Sequence, residues 1–177
     1  DMLKARHDLK LDPDRPVVAM LPGSRESEIT YLAERFFQTA NLLSQQQPNL
    51  QFVLPAMPSM MSRIESIRDK VGASQVQILK GQSHTALAAC DVTLIASGTA
   101  TLEAALFKKP MVIAYNMNWL SWQMMKRKKL QPWVGLPNIL CNESLVPELL
   151  QDDATPEKLA DALDRWLLDP AGSKALE

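Results

Sequence analysis

Two short runs of small and hydroxyl-bearing residues have the composition of anion-binding turns. They are Pro22-Gly23-Ser24-Arg25 and Ser97-Gly98-Thr99-Ala100-Thr101-Leu102-Glu103. Each run follows an apolar segment and precedes a helix-like pattern, and a helix start presents unpaired backbone N–H groups to an anion. Glycine lets a ligand approach the backbone closely, while serine and threonine hydroxyls add donors. The runs therefore predict two phosphate-binding junctions, and two of them in one chain favour a nucleotide as the ligand.

Arg25 adds a cation to the first run. The helix dipole disfavours a cation at a helix start unless an anion lies there, and arginine holds a phosphate with two hydrogen bonds. The alternative is structural: Arg25 pairs with Glu28, and Ser24 only caps the helix. The run is not a Walker A loop, since the lysine and the glycine spacing are absent, and the chain has no G-x-G-x-x-G motif.

Glu103 lies about one turn into the second predicted helix, one place too late for a capping box with Thr99. A carboxylate at this place could accept hydrogen bonds from both hydroxyls of a ribose, as acidic residues do in other nucleotide-binding folds. The alternative is an ordinary helix start with an acid that suits the helix dipole.

The histidines and cysteines do not have the spacing of a metal site or of a covalent nucleophile. His7 lies in a polar lead-in that is expected to be frayed and solvated. His84 stands at another predicted helix start, where it is either structural or lines the same cleft. Cys90 and Cys141 offer no disulfide framework, and Cys90 is expected to pack as a small hydrophobe. No metal and no cofactor are predicted.

A tryptophan-rich and basic segment covers residues 119–133. Its distinctive side chains are Trp119, Trp122, Lys126, Arg127, Lys128, Lys129 and Trp133. This composition is typical of a helix on an anionic membrane surface. The alternative is a helix that packs its aromatic rings on the sheet and solvates its basic end. Asn138, beyond it, is either a ligand contact or a turn residue.

Apolar segments alternate with helical patterns along the whole chain. The predicted strands are 17–21, 51–56, 75–79, 92–96, 110–115 and a short 138–140. The predicted helices are a loose lead-in within 3–14, a long helix from Ser24 to about 44–48, and 58–70, 83–90, 119–130, 146–150 and 156–168, besides the one that follows the second run. This order predicts an α/β fold, a Rossmann-like doubly wound parallel sheet, in which ligands bind outside the carboxyl ends of the strands.

Length and composition fit one globular domain, with 177 residues, 46% hydrophobic and 22% charged. A net charge of -1 gives no reason to expect nucleic acid, and no apolar run approaches the roughly 20 residues of a membrane span. We expect a cytoplasmic protein. Both ends are expected to be cut from a longer protein.

Four segments together resemble the lipid-A-disaccharide synthase family, bacterial glycosyltransferases of the two-domain GT-B fold. They are Leu21-Pro22-Gly23-Ser24-Arg25, the run from Ala96 to Glu103, Lys108-Lys109-Pro110-Met111-Val112 and Gly135-Leu136-Pro137-Asn138. Each segment alone is weak evidence for this family, but the order and spacing of the segments match those of the family over essentially the whole chain. The resemblance implies that residues 1–177 are a single Rossmann-like domain that binds a UDP-sugar donor, with the amino-terminal acceptor domain absent.

By the same resemblance, each site residue receives a role. Gly23, Ser24 and Arg25 would meet the diphosphate, residues 97–101 the phosphate, Glu103 the ribose and Asn138 the donor region. The family transfers diacylglucosamine from UDP to diacylglucosamine 1-phosphate with inversion, so the resemblance implies a UDP-diacylglucosamine donor and no metal. It also implies a catalytic base outside this chain, an inactive fragment and a peripheral place on the inner face of the bacterial inner membrane.

Two other interpretations stay open. One is a different UDP-sugar enzyme of the GT-B fold, either an epimerase or a UDP-GlcNAc transferase. The other is a non-catalytic module that binds a nucleotide or a membrane. The oligomeric state is also open, a homo-oligomer included.

Overall fold

The computed structural model describes residues 1–23, 26–96, 104, 106, 107, 109–115, 148–150 and 155–168, with the backbone alone at 27, 28, 30, 31, 115 and 148–150. The elements in chain order are α1 (Met2–Asp8), β1 (Val17–Leu21), α2 (Glu26–Gln46), β2 (Gln51–Ala56), a 3-10 turn (Pro58–Met60), α3 (Met61–Val71), β3 (Val76–Lys80), α4 (Ser83–Ala89), β4 (Val92–Ala96), β5 (Met111–Tyr115), β6 (Glu148–Leu150) and α5 (Pro156–Leu168).

The six described strands form one parallel sheet in the order β3-β2-β1-β4-β5-β6. The chain moves outward from β1 to β3 and then returns to the other side of β1 as β4. This is the doubly wound order, and it confirms the predicted Rossmann-like fold. β3, in which buried and exposed residues alternate in part, lies at one edge, and all five residues of the wholly apolar β1 are buried.

One face of the sheet is covered by α2, α3 and α5. The apolar positions of α2 follow a helical period because they must all meet the sheet. Every one of them is at most 2% exposed: Ile29, Leu32, Ala33, Phe36, Phe37, Ala40 and Leu43. At the start of α5 the Thr155 hydroxyl accepts a hydrogen bond from the Lys158 backbone N–H at 3.3 Å, and this bond caps the helix.

The other face is covered by α1, α4 and the residues around Ala104 and Phe107. The expectation of a frayed lead-in is wrong, because α1 buries Ala5 and packs on α4. Arg6, only 5% exposed, lies between the two helices. Its charge is accommodated there by three hydrogen-bond partners, which a sequence pattern cannot reveal.

Two further predictions differ from the structure. The expected helix over 146–150 is wrong at 148–150, which pair as β6 with β5, because an open sheet edge outweighs the helix preference of so short a segment. The segment 58–70 begins with a 3-10 turn before α3, and Gly72 ends α3 in the left-handed conformation. The predicted elements at 119–130 and 138–140 lie outside the described residues. Within the described part of the chain, no helix is long and apolar enough to cross a bilayer.

Candidate functional site

The two predicted anion-binding runs leave the sheet from neighbouring strands. β1 and β4 pair directly, with Leu21 opposite Ile95, and their carboxyl ends lie at the same edge. This is the place where the strand order reverses, since β1 continues toward β2 and β4 toward β5. In open α/β sheets a crevice forms at such a switch point and holds the ligand. The sheet therefore places Leu21 and Ala96, after which the two runs begin in sequence, at the same edge.

The described part of this edge has an apolar base. Leu21 is 9% exposed and Ala96 is 5% exposed, so the last residues of both strands are covered. Gly23 has φ +112°, in a region that a side chain with a Cβ rarely adopts. A glycine is thus required at the point where the first run turns away from β1.

Most of the site residues named from the sequence lie outside the described residues. They are Ser24, Arg25, Ser97, Gly98, Thr99, Ala100, Thr101, Glu103 and Asn138. The segment with Trp119, Trp122, Lys126, Arg127, Lys128, Lys129 and Trp133 lies outside them as well. Their proposed contacts stay predictions.

His84 lies at the carboxyl edge, at the start of α4, and is exposed. Its ring faces the Phe107 ring at a centroid distance of 5.9 Å and an angle of 55°. The structure thus brings His84 to the chain that follows β4, although β3 and β4 are not adjacent in the sheet. His7, with its side chain 91% exposed, is solvated as predicted.

An ion pair that sequence reasoning missed lies beside the first run. Glu26 is the first residue of α2, and its Oε1 is 3.4 Å from Nη1 of Arg63 on α3. Both helices begin at the carboxyl edge, because they follow β1 and β2, which are neighbours. The two residues are 37 positions apart, so only the pairing of β1 with β2 reveals that they meet.

Cys90 does not have the environment of a nucleophile. Burial raises the pKa of its thiol to about 11, and the Thr93 hydroxyl beside it lowers the pKa by a smaller amount. The thiol therefore stays protonated at neutral pH, and it packs as the predicted small hydrophobe. Within the described ranges no three His, Cys, Asp or Glu side chains lie close enough together to hold a metal ion.

Comparison with known proteins gives a consistent result. A family model for LpxB, lipid-A-disaccharide synthetase, matches residues 1–174. The chain is 61% identical over 168 residues to the lipid-A-disaccharide synthase of Albidiferax ferrireducens, covering 94% of this chain and 43% of that protein. It is 50% identical over 179 aligned residues to the same enzyme of an Azoarcus species, covering 99% of this chain and 46% of that protein. The chain thus spans less than half the length of these relatives.

Among solved structures, the chain is similar to WaaG, a glycosyltransferase involved in lipopolysaccharide biosynthesis. The TM-score is 0.68 at 16% identity, over 99% of this chain and 44% of that chain. At this identity the likeness shows the fold alone, a Rossmann-like domain of the kind found in GT-B glycosyltransferases. The match of the family model over nearly all residues, together with relatives at 50% identity and above, shows that this chain belongs to the lipid-A-disaccharide synthetase (LpxB) family.

Proposed function

We propose that this chain is the donor-binding domain of a lipid-A-disaccharide synthase. The observation that carries the proposal is the family match over residues 1–174. The adjacent carboxyl ends of β1 and β4, after which the two predicted runs begin in sequence, support it. The donor is a UDP-diacylglucosamine, and the acceptor is a diacylglucosamine 1-phosphate. Transfer joins the two sugars with inversion.

The roles of the site residues follow from the charge of the donor. Gly23 and Ser24 offer backbone and hydroxyl donors to the diphosphate, and Arg25 offers a cation. Residues 97–101 hold phosphate at the second junction, and the Glu103 carboxylate accepts the ribose hydroxyls. Asn138 lies in the donor region. Departure of the diphosphate leaves negative charge on its oxygens, so donors oriented toward it in advance would also lower the barrier to transfer.

Deprotonation of the acceptor hydroxyl requires a general base. We assign that base, and the acceptor site, to the part of the longer relatives that this chain does not match. The chain by itself would then bind donor and transfer no sugar. Membership in the family favours this assignment over an epimerase, a UDP-GlcNAc transferase or a non-catalytic module.

Titration of the chain with UDP tests the donor site. We expect the wild-type chain to bind UDP, and Arg25→Ala or Glu103→Gln to weaken binding by about tenfold or more, since hydrogen bonds to charged groups contribute about 1.5–3 kcal/mol. The measurement is isothermal titration calorimetry, with circular dichroism to establish folding. Arg165→Ala is the control, because Arg165 is 82% exposed on α5 and its guanidinium lies 3.9 Å from the exposed Asp161 carboxylate of the same helix.

Two results would contradict the proposal. One is a folded wild-type chain that does not bind UDP at millimolar concentration. The other is binding that both Arg25→Ala and Glu103→Gln leave unchanged, which would place the nucleotide elsewhere.

A further inference from the structure

A methionine is exposed at the carboxyl edge of the sheet. Met57 directly follows β2, it is 52% exposed, and its neighbours Pro58 and Ser59 are exposed as well. The backbone here is held by the 3-10 turn, in which the Met60 N–H donates to the Met57 carbonyl at 2.9 Å. Small molecules in solution can therefore reach Met57 without any opening of the fold.

The other methionines in the described part of the chain are more covered. Met20 on β1 is 0% exposed and Met111 on β5 is 2% exposed. Three others are half-buried, namely Met2, Met60 and Met61. The last two of these pack against the core on the α2 face of the sheet. A reagent in water can reach the sulfur atoms of Met20 and Met111 only when the sheet opens, and such openings are rare in a core strand.

We propose that Met57 is the methionine, among those that the structure describes, that hydroperoxides oxidise first. The thioether sulfur takes one oxygen atom from hydrogen peroxide. The O–O bond breaks, an S–O bond forms, the sulfur is oxidised to the sulfoxide, and the peroxide is reduced and leaves as water. The step changes no formal charge, but it replaces an apolar side chain by a polar one beside the carboxyl end of β1.

Treatment of the folded chain with hydrogen peroxide, followed by peptide mass spectrometry, tests this assignment. We expect the sulfoxide of Met57 to form at least about tenfold faster than those of Met20 and Met111, because susceptibility follows exposure. The half-buried methionines should react at intermediate rates. In concentrated urea the rates should become similar, since unfolding exposes every sulfur.

Two leucine variants provide a matched pair, because leucine has nearly the volume of methionine and no sulfur. Met57→Leu should abolish the fast oxidation of the peptide that carries residues 57–61. Met61→Leu changes a half-buried methionine of the same peptide and should leave the fast oxidation in place. Circular dichroism should show that the wild-type chain stays folded when Met57 alone is oxidised, since its side chain lies outside the core.

Three results would overturn the inference. The first is oxidation of Met20 or Met111 in the folded chain as fast as that of Met57. The second is fast oxidation of the peptide with residues 57–61 that persists in Met57→Leu, and the third is unfolding when Met57 alone is oxidised. Oxidation requires no donor, so a chain that fails to bind UDP would contradict the proposed function and leave this inference standing.

Discussion

The two edges of the sheet are built differently. At the amino edge, the Arg6 guanidinium donates to the carbonyls of Ala89 and Pro13 and to the Asp91 carboxylate, at 2.8–2.9 Å. The same Asp91 oxygen accepts the Val17 backbone N–H. This one network joins α1, the chain before β1, the end of α4 and the chain that enters β4.

At the carboxyl edge, by contrast, the ion pair between Glu26 and Arg63 is exposed to water. Gly23, Gly81 and Gln82 all have positive φ, and His84 is exposed as well. The contrast is consistent with a sheet that has a stabilising network at one edge and the proposed donor site at the other. Three substitutions test this comparison.

The largest effect is expected at Arg6. Arg6→Ala leaves two carbonyls and the Asp91 carboxylate without their partner, so the free energy of unfolding should fall by about 2–4 kcal/mol. Urea denaturation measures the loss. Arg165→Ala removes one partner of an exposed ion pair, so it should change the free energy of unfolding by less than about 0.5 kcal/mol. Equal losses of unfolding free energy in Arg6→Ala and Arg165→Ala would contradict the stabilising role given to the amino edge. A folded Arg6→Ala variant with weaker UDP binding would contradict it as well.

A smaller effect is expected at Gln51, also at the amino edge. Its side-chain amide accepts from the Asp12 N–H at 2.8 Å and donates to the carbonyls of Asp12 and Arg15. Gln51→Ala should lower the free energy of unfolding by about 1 kcal/mol, because the amide is only partly shielded from water. Gln75→Ala is the control, since Gln75 is exposed and its amide donates to the side chains of Asn41 and Ser44. An equal loss of unfolding free energy in Gln75→Ala and Gln51→Ala would contradict the role given to Gln51.

The smallest effect is expected at Gln82, at the carboxyl edge. Gln82 has φ +63°, which is unfavourable for any residue with a Cβ, so Gln82→Gly should raise the free energy of unfolding by about 0.5 kcal/mol. Gln82→Ala should bring no gain, because alanine keeps the Cβ. Lys10→Gly is the matched substitution near the amino edge, because Lys10 also has a positive φ, +59°. Thermal unfolding of the three variants measures the differences, and destabilisation by Gln82→Gly would show that the side chain itself matters there.

The parts of the fold that local patterns can specify were predicted well. The seven buried positions of α2, the buried run of β1 and the bounds of α5 all follow from periodicity and capping within one element. β6 could not be predicted in this way, because its three residues become a strand only through pairing with β5. Arg6 is similar: its partner Asp91 lies 85 positions away, so nothing near it in the sequence explains its burial.

For the candidate site, the sequence by itself determined which residue types are available: two runs with glycine and hydroxyl residues, one with an arginine and one with a glutamate. Their binding chemistry stays a prediction. Residue types specify donors, charges and turn conformations locally, so these features can be read without coordinates. Only the tertiary structure decided that the two runs begin at neighbouring strands and that Arg63 lies beside Glu26. The reason is physical: strand order and helix placement come from burying both faces of the sheet, which involves residues far apart in the chain.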